Sequence, residues 1–254
     1  MRRFFLLFGA ALVTTAAARG QLRKDWCNVY SGTLGESTGI GMTLYASGTA
    51  IEGAYFYRKY LQDIPLQGAA TSARDITLQE QDAAGTTKGT FHLHLAEHDP
   101  RFRSTEILQG EVLQGTWSGT DGAKTFPVAL TVDHGCSKLG RREYEVAGAN
   151  DDAPVEKNVQ AFYSAVVAGK REEVAKYVSY PCTFFRDGKR SEINNPTEFL
   201  KNYDAIFTNE FEAKIANGVP HHMFANSQGI MIADGAVWFD AEGKARSFNN
   251  SPQL

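Results

Sequence analysis

The chain has 254 residues and a formal net charge of −3, with 43% hydrophobic and 22% charged residues. These proportions are typical of a globular protein, and the length allows two ordinary domains. The charge balance excludes an extended nucleic-acid-binding surface, because phosphate recognition needs clustered Lys and Arg and the basic pairs of this chain are isolated.

The first 20 residues (1–20) have the pattern of a secretory signal peptide. Arg2 and Arg3 precede an apolar run, and the small residues Ala16 and Ala18 fit a cleavage site. The apolar run is shorter than the roughly 20 residues that a membrane-spanning helix needs. We therefore expect an exported protein, periplasmic or secreted, that is not inserted in a membrane after cleavage.

Residues 27–136 are predicted to form an all-β domain. Short connections favour antiparallel pairing of neighbouring strands, and a meander of this size tends to close because closure removes exposed edges. The expected fold is an antiparallel meander that forms a small barrel or a curled sandwich, with a lumen that is either filled or holds one small ligand. Alternating apolar and polar residues predict strands at 40–46, 50–58, 64–67, 75–81, 88–95, 105–108, 111–118 and 126–132.

The chain contains three cysteines, Cys27, Cys136 and Cys182. Cys27 and Cys136 lie just before and just after the strand-rich segment. A disulfide between them would join the two ends of the β-domain, as an oxidising compartment permits. Cys182 lies in an apolar strand pattern, which favours a buried and unreactive thiol.

Two histidines of the fifth predicted strand, His92 and His94, share its polar face. Side chains two residues apart on a strand are parallel and can bind a metal, but a zinc site needs a third protein ligand. A solvated face explains the alternation equally well, so we assign no metal site and no cofactor. No catalytic residue is assigned either, because Walker, H-E-x-x-H and C-x-x-C motifs are absent from the sequence.

Residues 137–153 are predicted as a linker, and 154–250 form a second pattern that mixes helices with strands. The first helix presents apolar residues at helical spacing, and a second, shorter helix follows it. A hairpin then turns at Asp187 and Gly188, and a third helix is predicted after Asn195. Further strands are predicted at 211–215, 221–225, 229–233, 236–240 and 245–248.

This order of helix, helix, hairpin, helix and strands resembles the nuclear transport factor 2-like fold, the cone shared with ketosteroid isomerase and polyketide cyclases. The resemblance covers residues 154–249 and rests on element order and on segments such as 155–167, 199–207 and 229–239. It implies an α+β domain in which helices pack on a curved antiparallel sheet, with a pocket at the open end of the cone. It also implies a homodimer formed through the outer sheet. Such a fold does not imply one chemistry.

The resemblance implies that aromatic side chains and one histidine line the pocket. Adjacent residues of a strand point to opposite faces, so only one of His221 and His222 is expected to enter it. Packing in the core is the alternative role for each aromatic residue. The predicted ligand-binding residues are Tyr163, Tyr180, Phe184, Tyr203, His222 and Trp238.

Three functions remain open at this point. The first is an exported, soluble, non-catalytic binding or interaction protein, whose partner is a small apolar ligand in the cone or another protein. The second is a cofactor-independent enzyme of the cone family, similar to an isomerase, dehydratase or hydrolase, acting through His222 and a tyrosine. The third is a secreted enzyme inhibitor that presents the charged loop 97–103 of the β-domain. The absence of catalytic motifs favours the first.

Overall fold

The structure, a computed structural model, describes residues 25–96, 112–136 and 142–250. Within these ranges a closed eight-stranded barrel is followed by an α+β part with a six-stranded sheet. The barrel and the α+β part each have their own cluster of buried apolar side chains. The segment predicted as a signal peptide, the strand predicted at 105–108 and the loop 97–103 lie outside the described residues. No helix in the described ranges is both long and apolar enough to cross a membrane.

The barrel is an antiparallel meander, as predicted, in which each strand pairs with its neighbours in sequence and the last strand pairs with the first. Seven of its strands correspond to predicted ones, whereas the first is not predicted. The strands are β1 (Asp25–Leu34), β2 (Thr38–Ser47), β3 (Ala50–Tyr57), β4 (Ile64–Ala70), β5 (Asp75–Gln81), β6 (Thr87–Leu95), β7 (Val112–Gly119) and β8 (Thr125–Gly135).

The unpredicted strand β1 is the one that closes the barrel. It pairs with β2 along one edge and with β8 along the other. The predicted disulfide between Cys27 and Cys136 is present and joins β1 to the residue that follows β8, across a sequence separation of 109. The backbone N–H of Cys136 also donates to the carbonyl of Cys27. The bridge therefore fastens the seam at which the meander closes.

The barrel lumen is filled by the side chains of the barrel itself. The rings of Tyr55 and Phe91 meet edge to face with centroids 5.1 Å apart. The hydroxyl of Tyr55 and the indole nitrogen of Trp117 both donate to Glu80, over 2.9 and 2.7 Å. An eight-stranded barrel has an interior that side chains can just fill, and this one is packed by residues such as Ile40, Met42, Leu44, Leu78, Phe91 and Leu113, all buried.

The α+β part contains a 3₁₀ turn, five helices and six strands. The turn spans Glu145–Ala147. The helices are α1 (Asp152–Val167), α2 (Arg171–Lys176), α3 (Pro196–Lys201), α4 (Tyr203–Ile206) and α5 (Asn209–Asn217). The strands, in the order in which they lie in the sheet, are β10 (Lys189–Ile193), β9 (Val178–Arg186), β14 (Ala245–Asn249), β13 (Val237–Phe239), β12 (Gly229–Ile232) and β11 (Phe224–Asn226).

Two predictions for this part are wrong. The sheet is mixed and not wholly antiparallel, because β14 returns beside β9 in the same direction. The long chain between these two strands provides the crossover that a parallel pair requires. The segment 211–215, predicted as a strand, lies in α5. Phe211 and Ile215 are four residues apart and both buried, and the hydroxyl of Thr208 accepts from the N–H of Phe211 as an N-cap.

Candidate functional site

Two histidines and three carboxylates meet where the barrel contacts the α+β part. We call this set the acid–histidine cluster, and it consists of Asp63, Glu143, Glu156, His221 and His222. Asp63 lies in the loop between β3 and β4, and Glu156 lies in α1. Glu143 precedes the 3₁₀ turn, and both histidines precede β11. Ligand atoms of Asp63, His221 and His222 lie within 4.8 Å of one another, as do those of Glu143, Glu156 and His222.

Every ring nitrogen of the two histidines faces a carboxylate. Nδ1 of His221 contacts Glu156, and its Nε2 lies 3.0 Å from Oδ1 of Asp63. Nδ1 of His222 lies 2.9 Å from Glu143, and its Nε2 lies 3.1 Å from the same Oδ1 of Asp63. The two Nδ1 atoms therefore point to glutamates of the α+β part, while the two Nε2 atoms converge on one carboxylate of the barrel.

The local backbone explains why both histidines reach the cluster. The strand predicted at 221–225 begins only at Phe224, so the two histidines precede β11 and do not alternate as strand residues do. His222 has a φ of 47°, in the left-handed region, and its ring centroid lies 4.3 Å from that of His221. The N–H of His222 donates to Glu156 over 3.1 Å, which holds this unusual backbone in place.

The glutamates are positioned by buried hydrogen bonds. The hydroxyl of Tyr144, a fully buried residue of the predicted linker, donates to Glu156 over 2.7 Å and accepts from the N–H of Met223 over 3.1 Å. Asp152, at the start of α1, accepts from the N–H groups of Glu143 and Tyr144. Part of the segment predicted as a linker therefore packs into the α+β core and orients two members of the cluster.

The barrel contributes a ring as well as a carboxylate. Phe56 on the outer face of β3 is 1% exposed, and its ring centroid lies 4.6 Å from that of His221. The ring lies over Gly41 of β2, where a Cβ atom would come within 2.2 Å of it. Arg58 donates to the carbonyl of Asn217 over 2.5 Å. These contacts fix the barrel against the side of the cluster that carries the histidines.

The electrostatics of the cluster favour charged histidines. Burial alone would lower the pKa of His221, but its hydrogen bonds to Asp63 and Glu156 outweigh burial and raise the pKa to about 9. For His222 burial is likewise outweighed by hydrogen bonds to Asp63 and Glu143, and the pKa rises to about 10. Burial would raise the pKa of Asp63, yet the two histidines hold it well below its usual value.

A third histidine, His134 of β8, lies beside the cluster and behaves in the opposite way. Burial, followed by the nearby charge of His222, lowers its pKa to about 4, so it is neutral at physiological pH. Its ring meets that of Phe224 edge to face, with centroids 5.7 Å apart. Carboxylate partners therefore distinguish the two charged histidines from a buried histidine without them.

The structure does not bring the six predicted ligand-binding residues together. Phe184 and Tyr203 are buried in the α+β core, and Tyr180 packs against it. Tyr163 donates to the carbonyl of Ala216 over 2.8 Å and borders a cavity of about 330 Å³.

The other two predicted residues lie elsewhere. Trp238 lies between the buried residues Val237 and Phe239 on β13, so it points to the opposite face of the sheet. His222 lies in the acid–histidine cluster. A ligand-binding role for each of the six stays a prediction.

Sequence reasoning singled out the pair His221 and His222 and chose His222, but it missed the three carboxylates of the cluster. The paired histidines were the one local signal. Asp63 and His221 are 158 residues apart, so no spacing rule could link them. Glu156 follows the buried Val155 in α1 and reads as an ordinary polar position of an amphipathic helix.

No protein-family model matches the chain, and no curated protein matches it either. The site is therefore argued from its geometry.

Proposed function

We propose that the chain is an exported, non-catalytic binding protein with two domains, whose ligand site is the acid–histidine cluster between them. The β-domain would span 27–136 and the nuclear transport factor 2-like domain 154–250. The signal-like N-terminal pattern and the Cys27–Cys136 disulfide support export. The sheet order β10-β9-β14-β13-β12-β11, with helices before and within it, supports the cone resemblance.

One observation carries the location of the site: four imidazole nitrogens and three carboxylates converge at the junction, while both cores are filled. In the α+β core the rings of Tyr203 and Phe207 stack with centroids 4.5 Å apart, and Phe199 packs against Phe248 at 5.7 Å. A ligand inside the cone would have to displace these rings. Ligand sites occur preferentially at domain interfaces, where a few converging polar groups fix the ligand.

A cofactor-independent enzyme is the second candidate, favoured by histidines whose pKa values are strongly shifted, as occurs at active sites. The direction of the shift argues against a general base. With pKa values of about 9 and 10, His221 and His222 already carry their protons at neutral pH and have no free nitrogen to accept another. The inhibitor hypothesis depends on loop 97–103, which lies outside the described residues.

Native mass spectrometry of the protein purified from its exported compartment tests the proposal. We expect an adduct on the wild-type chain that persists in Trp238→Ala and is lost in His222→Asn. Asparagine tolerates the left-handed backbone of position 222, so the variant removes the imidazole with little strain. An adduct lost only in Trp238→Ala would place the ligand in the cone, and a wild-type chain without an adduct would contradict a ligand-binding role. The same spectrum tests the homodimer that the cone resemblance implies.

A further inference from the structure

We propose that the acid–histidine cluster binds a divalent transition metal, typically zinc, with Nε2 of His221, Nε2 of His222 and the carboxylate of Asp63 as its ligands. The inference rests on the proposed function, because it names the ligand of that site. Imidazole nitrogen and carboxylate oxygen are the donors that zinc takes in sites with three protein ligands, which leave a fourth position for water.

Two of the three donor pairs have a spacing close to that of a filled site, and all three donors lie within 4.8 Å of one another. Ligands about 2 Å from a tetrahedral zinc ion lie about 3.3 Å from one another. Nε2 of His221 lies 3.0 Å from Asp63, and Nε2 of His222 lies 3.1 and 3.3 Å from its two oxygens. Both Nε2 atoms point at Oδ1 of Asp63, so an ion would take the place of that oxygen, and the partly exposed carboxylate would move outward to bind it.

The other nitrogen of each ring has the partner that metal-binding histidines usually have. Such a histidine donates its second N–H to a carboxylate, which fixes the ring and leaves the lone pair of the first nitrogen for the metal. Here the carboxylate of Glu156 accepts from Nδ1 of His221, and that of Glu143 accepts from Nδ1 of His222. The hydroxyl of Tyr144 donates to Glu156, and Asp152 accepts from the backbone N–H groups of Glu143 and Tyr144.

The alternative set of Glu143, Glu156 and His222 is less suitable as the first ligand set. Oε1 of Glu156 already accepts from the hydroxyl of Tyr144 and from the N–H of His222. The side chain of Glu156 is 16% exposed and that of Glu143 15%, whereas that of Asp63 is 42% exposed. Asp63 therefore gives a metal a path from solvent and leaves room for a water molecule as the fourth ligand.

The formal charge of the cluster is the same before and after a divalent ion binds. Three carboxylates and two imidazolium rings carry a formal charge of −1. Three carboxylates, two neutral imidazoles and one divalent ion carry the same charge. The ion takes the lone pairs of the two Nε2 atoms, and the two protons that these atoms held pass to solvent. Binding should therefore release two protons and strengthen as the pH rises.

Zinc titration of the full chain, purified without an affinity tag and freed of metal by a chelator, tests the inference. Isothermal titration calorimetry in two buffers of different ionisation enthalpy gives the stoichiometry, the affinity and the number of protons released. We expect one zinc ion per chain and two protons released. Binding should weaken at least 100-fold in His221→Gln and Asp63→Asn, and about 10- to 100-fold in Glu156→Gln, which changes an orienting partner.

The exposed histidines of β6, His92 and His94, provide the matched control. His92→Gln and His94→Gln change histidines on the outer barrel face and should leave zinc affinity unchanged. Circular dichroism of each metal-free variant shows whether it is folded, and the absorption spectrum of bound cobalt reports tetrahedral nitrogen and oxygen ligands. Zinc binding that survives His221→Gln, or that disappears with His94→Gln, would overturn the inference.

The outcomes separate this inference from the proposed function. A chain that binds no zinc but carries an adduct dependent on His222 would overturn the metal and keep the junction as the binding site. A chain with neither zinc binding nor an adduct would overturn both.

Discussion

Replacing Asp63 by asparagine should weaken the junction between the barrel and the α+β part. Asp63 is the carboxylate that the barrel contributes to the acid–histidine cluster. Its Oδ1 accepts from Nε2 of His221 over 3.0 Å and from Nε2 of His222 over 3.1 Å. An asparagine of the same shape keeps one carbonyl acceptor but loses the negative charge. The substitution therefore tests the charge of the contact with little change in packing.

The expected loss follows from the contacts of this one side chain. A hydrogen bond to a charged group contributes about 1.5–3 kcal/mol, and removing one partner of a buried ion pair costs roughly 3–5 kcal/mol. Asp63 is 42% exposed, so solvent screens part of this interaction, and the amide oxygen keeps one bond. We expect the free energy of unfolding to fall by about 2 kcal/mol at pH 6.

The pH dependence of the loss is a sharper test than its size. The raised pKa values of His221 and His222 stabilise the folded state fully below about 6.5, the ordinary pKa of histidine, and this contribution is lost as the pH rises through about 9 to 10. The deficit of Asp63→Asn should therefore be present at pH 6 and largely gone at pH 10, where His221 is mostly neutral and His222 has lost about half of its charge.

Urea unfolding in a chelator, followed by tryptophan fluorescence at the two pH values, measures the deficit. Asp75→Asn is the matched control, because Asp75 contacts His94 over 2.7 Å on the exposed barrel surface and should matter little. The reasoning is refuted if Asp63→Asn loses no more stability than Asp75→Asn, or if its deficit is equal at pH 6 and pH 10.

Three further predictions concern the wild type, the disulfide and Gly41. In a chelator, the urea midpoint of the wild type should fall between pH 7 and pH 10 as the cluster histidines lose their protons, and a flat profile would contradict the charged cluster. Removing the disulfide by changing Cys27 and Cys136 to serine should cost about 2–5 kcal/mol, since the bridge closes a loop with a separation of 109 residues; an unchanged thermal midpoint would show that the seam holds without it. Gly41→Ala should displace the ring of Phe56, because the new Cβ would lie 2.2 Å from it, and should lower both the thermal midpoint and the zinc affinity; unchanged values would show that the ring does not support the cluster.

Most of the barrel could be predicted because its strands have one face in the lumen and one outside. The predicted strand at 75–81 matches β5 in both bounds. The first strand was missed for a physical reason: Asn28, Val29 and Tyr30 are consecutive and all buried, so β1 shows no alternation. A strand covered on both faces cannot be recognised by a period of two.

The helix α5 was missed because its pattern is ambiguous over a few residues. Phe211, Ala213 and Ile215 are apolar at alternate positions, as in a strand, while Phe211 and Ile215 also fit one face of a helix. The N-cap at Thr208 was the signal that distinguishes the two. Cap residues deserve more weight than alternation in such short segments.

The acid–histidine cluster could not be predicted, because tertiary structure alone assembles it. Its members come from one barrel loop, the segment before the 3₁₀ turn, one helix and one irregular segment, and the contact between Asp63 and His221 spans 158 residues. The left-handed backbone at His222 turns a second ring into the cluster, and no strand pattern would indicate it. Sequence reasoning could note the paired histidines but not their partners.

Anomalous diffraction at the zinc absorption edge, from crystals of the wild-type chain grown with zinc chloride, tests the central claim most directly. The account predicts one strong peak about 2.0–2.2 Å from Nε2 of His221, from Nε2 of His222 and from a carboxylate oxygen of Asp63. A cluster without a peak, or zinc bound only at the exposed histidines of β6, would contradict it.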